Sequence, residues 1–363
     1  MRICIIDEIA NCSYHLTNGL TQMGHEVFVL LDVQRRLSRL LFTQKVPPGS
    51  ELIWIRPLPI RPRALGLFFP MLLAIIRLRP QIIHVQYLWS QFFIGFIASR
   101  LLRVPIVATG HGWEVIDVPK ERIRGKIQKQ FLKRADMIIL TAKYYHRFME
   151  DIVPPERRIY IPRMIDTEMF KPGIPCNDIT KKYGNHIVTF VARLYKVKTP
   201  YKTLKAFRLA LDSIPDAHLL ILGKGPEEQG MKKMVKDLQM EENVHFLGEV
   251  PNTEIPRYLN ASKVEVRGFN PLTPELGISH LEALACGTPV LTYNDYPGVQ
   301  GMVICLEIEE ISKALIKILE DEQYQQKLGL AGREYVIKNF SIEAGTHQTI
   351  RVYKDLLRKR GTS

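Results

Sequence analysis

The sequence predicts an α/β protein made of two doubly wound domains, each a parallel sheet with helices on both faces. Short β-branched runs alternate with helical stretches through both halves of the chain, and strand–helix–strand alternation produces such sheets. Most of those runs are continuously apolar, as strands covered on both sides are. At 363 residues the chain exceeds the length at which a single hydrophobic core stops growing, so two domains are expected.

In the first half the strand-like runs are Ile3–Ile6, Val27–Leu31, Leu52–Ile55, Ile82–Val85, Ile106–Thr109, Met137–Leu140 and Arg158–Ile161. Ligands of such sheets bind beyond the carboxyl ends of the strands. That places weight on the loop Asp7 to Ser13 and on Thr109-Gly110-His111-Gly112-Trp113-Glu114. Glycines on both sides of His111 permit a tight loop and a close ligand. His84, inside a strand-like run, reads as a satisfied core residue. Residues 166–185 contain Pro172, Gly173 and Pro175 and then a polar stretch, the signature of a linker. The second half has strand-like runs at Ile187–Ala192, Ala217–Leu222, Val244–Leu247, Lys263–Val266, Val290–Tyr293 and Met302–Leu306, and a last helical stretch, Phe340–Leu357, with a basic tail. The expected organisation is a first domain 1–165, a linker 166–185, a second domain 186–340 and a terminal segment 341–363.

The segment from Pro271 to Leu291 reads as loop, helix, strand. Ile278, Leu281, Leu284 and Ala285 recur on one helical face, and Gly287 suits the stop because a left-handed backbone costs glycine little. A helix start near Gly277 would offer free N–H groups to an anion. Glu282, beside the buried face, could accept hydrogen bonds from both hydroxyls of a ribose. A solvated glutamate on an amphipathic helix is the alternative. Arg193 closes the run Ile187–Ala192, and Lys198 follows five residues on. A fixed guanidinium fork and a mobile ammonium suit phosphate oxygens, although in isolation such charges are usually solvated.

Hydrophobic content of 46% and charged content of 24% are those of a globular protein. The five cysteines are scattered and odd in number, without metal-type pairs, which argues for a reducing compartment and against zinc or a disulfide framework. No signal-peptide pattern precedes Ile3. The expectation is a cytoplasmic protein, peripheral on the cytoplasmic membrane face being the open alternative. A net charge of +13 suits nucleic acid, an anionic membrane or anionic small molecules. No nucleic-acid motif is visible. The apolar run Ala64–Ile76 is interrupted by Pro70, is shorter than the ~20 residues of a spanning helix, and is flanked by Arg61, Arg63, Arg77 and Arg79. It fits either an interfacial helix or a buried crossover helix with solvated ends.

In order and spacing these segments resemble the retaining nucleotide-sugar glycosyltransferases of family 4, which have the GT-B fold. Glu282 to Val290 matches the family's glutamate followed by Ala-x-Ala-Cys-Gly-Thr-Pro-Val. The family places seven residues between its two glutamates. Here Pro274 occupies the first position and Glu275 lies one residue closer, while Gly277 falls on the family's second glycine. Leu220 to Pro226 resembles the family's Gly-x-Gly-Pro turn, and Val244 to Gly248 with Val250-Pro251 resembles the segment that borders the base. The family's Gly-Gly pair is absent from residues 7–13.

The resemblance implies two Rossmann-like domains facing across a cleft, with the last helix crossing back to the first. It implies a metal-independent hexosyltransferase without a cofactor, using a nucleotide-diphosphate sugar and a glycan, lipid-linked or small-molecule acceptor. Arg193 and Lys198 would take up the leaving diphosphate, Glu282 the ribose, and His111 and Glu275 the sugar. Gly277, Ile278, Gly223, Gly225, Gly248 and Val250 would border the donor. Attack would come from the front face, with the leaving phosphate oxygen taking the acceptor proton. The displaced Glu275 and missing Gly-Gly keep an alternative in view, a non-catalytic GT-B protein that binds a nucleotide sugar or a partner transferase. Nucleotide-sugar epimerases of the same fold are a third reading.

Overall fold

The computed structural model describes residues 1–7, 11–32, 49–58, 63–88, 90–117, 124–198, 200–267, 276–292 and 298–361. The chain forms two compact units, Met1–Met164 with Ile342–Ser363, and Ile165–Ser341.

Unit 1 contains β1 (Arg2–Asp7), β2 (Glu26–Asp32), β3 (Ser50–Ile55), β4 (Ile82–Gln86), β5 (Ile106–Gly110), β6 (Met137–Leu140) and β7 (Arg158–Tyr160). They form one parallel sheet in the order β3-β2-β1-β4-β5-β6-β7. Successive side chains of a strand point to opposite faces, and both faces here are covered. Cys4, Ile6, Phe28, Leu30, Ile83 and Val85 belong to one core. Ile3, Ile5, Val27, Val29, Leu31 and Ile82 belong to the other. That is why the runs carry no polar alternation.

The helix Ile342–Lys359 supplies Ile350, Tyr353, Leu356 and Leu357 to the second of these cores. It approaches the helix Asn11–Gln22 closely at Gly19, where a Cβ would lie 2.0 Å from Thr346 Oγ1. His84 is buried, with Nδ1 2.5 Å from the Tyr353 hydroxyl and Nε2 2.7 Å from Thr109 Oγ1. Burial holds its pKa down to about 3, so this core histidine is neutral at physiological pH. The terminal helical stretch differs from expectation. Phe340 closes the helix Glu322–Phe340, and Ser341 is extended and bridges to Ile165 before the next helix begins at Ile342.

Pro70 does not interrupt the helix Arg63–Leu78. A proline inside a helix leaves the carbonyl four residues back without its donor. That carbonyl, Gly66 O, instead accepts from the Leu58 N–H at 2.9 Å. Leu67, Met71 and Ile75 face the core. On another side Phe69 and Leu73 are 59% and 51% exposed, and Arg77 is exposed too. The helix is thus a crossover with an unburied apolar strip; Arg61 lies outside the described residues.

Unit 2 contains β8 (Ile187–Val191), β9 (His218–Leu222), β10 (Val244–Gly248), β11 (Val264–Val266), β12 (Val290–Thr292) and β13 (Met302–Ile304), in the parallel order β10-β9-β8-β11-β12-β13. Residues 166–185, read as a linker in the sequence, include the helix Asn177–Tyr183, whose Ile179 and Tyr183 are buried. The Ile165 N–H donates to Phe340 O at 2.7 Å, joining the two ends of this unit.

Candidate functional site

The strand order of unit 2 reverses direction between β8 and β11. At such a switch point the connections leave in opposite directions, and a crevice opens beyond the carboxyl ends of the strands. Residues following these two strands border that crevice.

Beyond β8 the chain continues beside the end of β9. Ala192 N–H donates to Leu222 O at 3.0 Å and Leu194 N–H to Lys224 O at 3.0 Å. Two glycines make this approach feasible. Gly223 has φ +141°, and a Cβ there would lie 1.9 Å from Ala192 O; at Gly225 it would lie 2.3 Å from Leu194 O. Their first service is backbone to backbone, and it holds the segment that carries Arg193. Gly223 N–H also donates to Gly248 O at 2.7 Å.

Arg193 is exposed, with its guanidinium 5.6 Å from the Tyr195 ring centroid. It shares one pocket with Gly223, Glu249, Val250, Asn252 and Glu282. Four of the residues singled out in the sequence thus meet in one place: Arg193, Gly223, Val250 and Glu282. Glu249 and Asn252 are additions the motif reading lacked.

Glu282 stands on the helix Ile278–Ala285, one turn from its start. Gly277 is the extended N-cap and has no side chain with which to cap the first turn, and a helix start offers N–H groups to an anion. Ile278 beside them is exposed. Burial pushes the Glu282 carboxyl up to about 7, and Arg267 pulls against that rise. Lys198 ends a short 3-10 turn, Lys196–Lys198, and is half-buried. Its charge helps hold His280 of the same helix neutral, after burial and Arg267. Glu275 lies outside the described residues.

Sequence reasoning missed a buried polar cluster tied to this pocket through Val191, whose carbonyl accepts from Arg267. Glu265 on β11 is fully buried. Its Oε1 lies 3.9 Å from Arg267 Nε and its Oε2 3.8 Å from His280 Nε2. Neither oxygen accepts a hydrogen bond of ordinary geometry. A glutamate inside a short strand of a parallel sheet, Val264-Glu265-Val266, was the available signal, since a buried carboxylate is costly.

In unit 1, His111 follows β5. Its Nε2 lies 2.8 Å from Gln86 Oε1, its ring packs on Tyr87, its N–H donates to Glu114 and its carbonyl accepts from Arg163. Burial, with Arg163 and His84 adding to it, lowers its pKa to about 3, so it is a neutral donor or acceptor. Burial raises Glu114. Among the described residues no group of three or more His, Cys, Asp and Glu side chains could hold a metal ion.

Both halves of the chain match glycosyltransferase family models. Residues 9–169 match the one described as Glycosyltransferase Family 4, and residues 177–335 the one described as Glycosyl transferases group 1. The chain is a family 4 glycosyltransferase. This glycosyltransferase is 26% identical to the GDP-mannose-dependent alpha-(1-6)-phosphatidylinositol monomannoside mannosyltransferase of Mycolicibacterium smegmatis, over 68% of this chain and 69% of that protein. It is 24% identical to the N-acetyl-alpha-D-glucosaminyl L-malate synthase of Bacillus anthracis, over 94% and 92%. Its fold is that of Anabaena Alr3699/HepE in complex with UDP and glucose, with a TM-score of 0.74, 16% identity and 98% and 99% coverage. The two parallel sheets are those of the GT-B fold. The non-catalytic alternative is set aside, because relatives matching over most of the chain are named as synthases and transferases.

Proposed function

We propose that this glycosyltransferase moves a sugar from a nucleotide-diphosphate sugar to a lipid-linked glycan acceptor, with retention of configuration. The donor half rests on one observation: Arg193 and Glu282 line the same pocket at the switch point of unit 2. Glycosyl transfer passes through a cation-like sugar centre while a diphosphate leaves, and stabilising that departing charge is the largest electrostatic demand. Arg193, Lys198 and the start of the helix Ile278–Ala285 answer it. Glu282 receives the ribose hydroxyls, Gly223, Gly225, Gly248 and Val250 border the base, and His111 with Glu275 orients the sugar. The mannosyltransferase and HepE, named for GDP-mannose and UDP, support a nucleoside diphosphate. A thermal-shift screen tests this. A ligand bound only by the folded state raises stability by about 2.7 kcal/mol at a hundredfold excess over Kd, so UDP or GDP should raise the melting temperature. No shift with any nucleoside diphosphate would sink the donor assignment.

The acceptor half rests on charge. Unit 1 holds 29 Lys and Arg against 14 Asp and Glu, whereas unit 2 holds 21 against 23. The positive balance is therefore all in unit 1. Phe69, Leu73 and Arg77 follow one another at i, i+4 and i+8, one face of the helix Arg63–Leu78. An apolar strip ending in a cation suits the interface of an anionic bilayer, and the M. smegmatis relative is named for a phosphatidylinositol-based acceptor. The protein should sediment with vesicles containing phosphatidylglycerol at low salt and be released at high salt, where surface charge is screened. Phe69→Asp with Leu73→Asp should abolish sedimentation. Equal recovery in the supernatant with and without vesicles would point to a soluble acceptor.

A further inference from the structure

We infer that Arg267 is a positioning residue of the donor site: its guanidinium binds the strand end before Arg193, lies against the N-cap of the helix bearing Glu282, and favours there the carboxylate form that a ribose needs. The inference rests on the donor assignment proposed above. Its geometry is that of a junction. Arg267 is 8% exposed. Nη1 donates to Val191 O at 3.1 Å, two residues before Arg193. Nη2 lies where a side chain on Gly277 would begin, 2.0 Å from an added Cβ. The Arg267 N–H donates to Leu291 O at 3.2 Å, and its carbonyl lies 3.3 Å from His280 Nε2. One side chain thus bonds the end of β8 and packs against the N-cap of the helix Ile278–Ala285.

The place is a costly one for a cation. A helix N-terminus is itself positive, and the guanidinium is almost out of water. A buried ion pair is weak evidence for stability, because desolvation offsets the attraction and an apolar pair often serves as well. Here the pair is also incompletely bonded. Glu265 lies 3.9 Å from Arg267 Nε, and that nitrogen has no hydrogen-bond partner. What the arrangement does supply is a positive charge shared by two carboxylates, Glu265 and Glu282. Burial pushes each of them up to about 7 and Arg267 pulls each back. Glu282 faces the pocket; Glu265 does not.

Other charged groups surround Glu282 as well. Arg193 and Glu249 line the same pocket. His280 stands in the first turn of the same helix, where burial, Arg267 and Lys198, from the turn beyond β8, keep the imidazole neutral. Cys286, on the next turn, is pushed up to about 12 by burial and by Glu282. Arg333, from the helix Glu322–Phe340, is bound to the carbonyls of Ala285 and Phe170. On the helix Ile255–Ala261, Arg257 is paired with Glu254 and Asp178. Of the cations here, Arg267 is the buried one whose field is the opposing cause at both carboxylates.

A ribose donates both hydroxyls, so it needs the carboxylate rather than the acid. Affinity for a nucleoside diphosphate should therefore rise with pH through about 7. The test is calorimetric titration of UDP and GDP across that range, on the full chain and three variants. Arg267→Met should move the midpoint up by about one pH unit, weakening binding about fivefold at pH 7 and about tenfold well below it, where one unit is worth a full factor of ten. Arg267→Lys keeps the charge and should restore the midpoint. Glu265→Gln frees Arg267 for Glu282 and should move the midpoint down. Glu265→Gln also removes an unbonded buried carboxylate, so it should fold even if Arg267→Met does not. Opposite shifts support the inference. If wild type binds and none of the folded variants moves the midpoint, Arg267 is structural only and the inference falls alone. If wild type binds neither nucleotide at any pH, the donor assignment falls and takes the inference with it.

Discussion

Lys198→Ala is expected to lower turnover by at least ~10²-fold, the usual loss when one preorganised transition-state donor is removed. Lys198 ends the short turn Lys196–Lys198 beyond β8, and its charge is felt at His280 on the donor-site helix. Arg193 lines the pocket and is exposed, so water screens its charge in the resting protein. The half-buried lysine is the better candidate for a charge that matters most as the diphosphate departs. A group that acts only then lowers kcat and kcat/KM equally, whereas one that merely binds donor raises KM. Initial rates over a range of donor concentrations separate these. A turnover equal to wild type would remove Lys198 from the mechanism and leave the leaving group to Arg193 and the helix start.

The strands were legible because each unit buries both faces of its sheet, so nearly every strand is an uninterrupted apolar run. The helix Ile278–Ala285 was legible from its face and its glycine stop, and Gly287 does have φ +76°. Three features were not. Ser341 separates two helices through an extended backbone and a bridge to Ile165, a contact between residues far apart in sequence. Pro70 is tolerated because Leu58, twelve residues earlier, takes the freed carbonyl. The Glu265–Arg267–His280 cluster is assembled from β11 and a helix that begins eleven residues after Arg267. Local pattern cannot show that these charges face one another. In the site the same division holds. Arg193 and Glu282 were found because strand ends and a short motif mark them, and Arg267 was missed because only packing gives it a purpose.

Gly223→Ala should be among the most damaging single substitutions outside the hydrophobic core, and it should harm fold and site together. The residue sits at φ +141°, where a side chain is rarely accommodated. Residues forced into such backbone cost ~1–3 kcal/mol. The added Cβ would also lie 1.9 Å from Ala192 O and 2.8 Å from Ala192 C. That obstacle is backbone, which cannot rotate aside as a side chain does, and overpacking of this kind costs roughly another 1–3 kcal/mol. The sum is a large share of the ~5–15 kcal/mol that holds an ordinary domain folded. If the chain relieves the clash by moving Ala192, then Arg193 moves with it and nucleoside-diphosphate affinity drops. Gly184→Ala is the matched control, because Gly184 also has positive φ, +76°, but nothing lies within 4 Å of an added Cβ. Urea unfolding of both variants, with UDP titration at low temperature where each remains folded, reads the two effects separately. Equal losses of stability would show that backbone strain alone demands glycine at 223. A larger loss at 223, with weakened UDP binding there and unchanged binding at 184, is the outcome expected if β8 and β9 must touch through bare backbone to present Arg193.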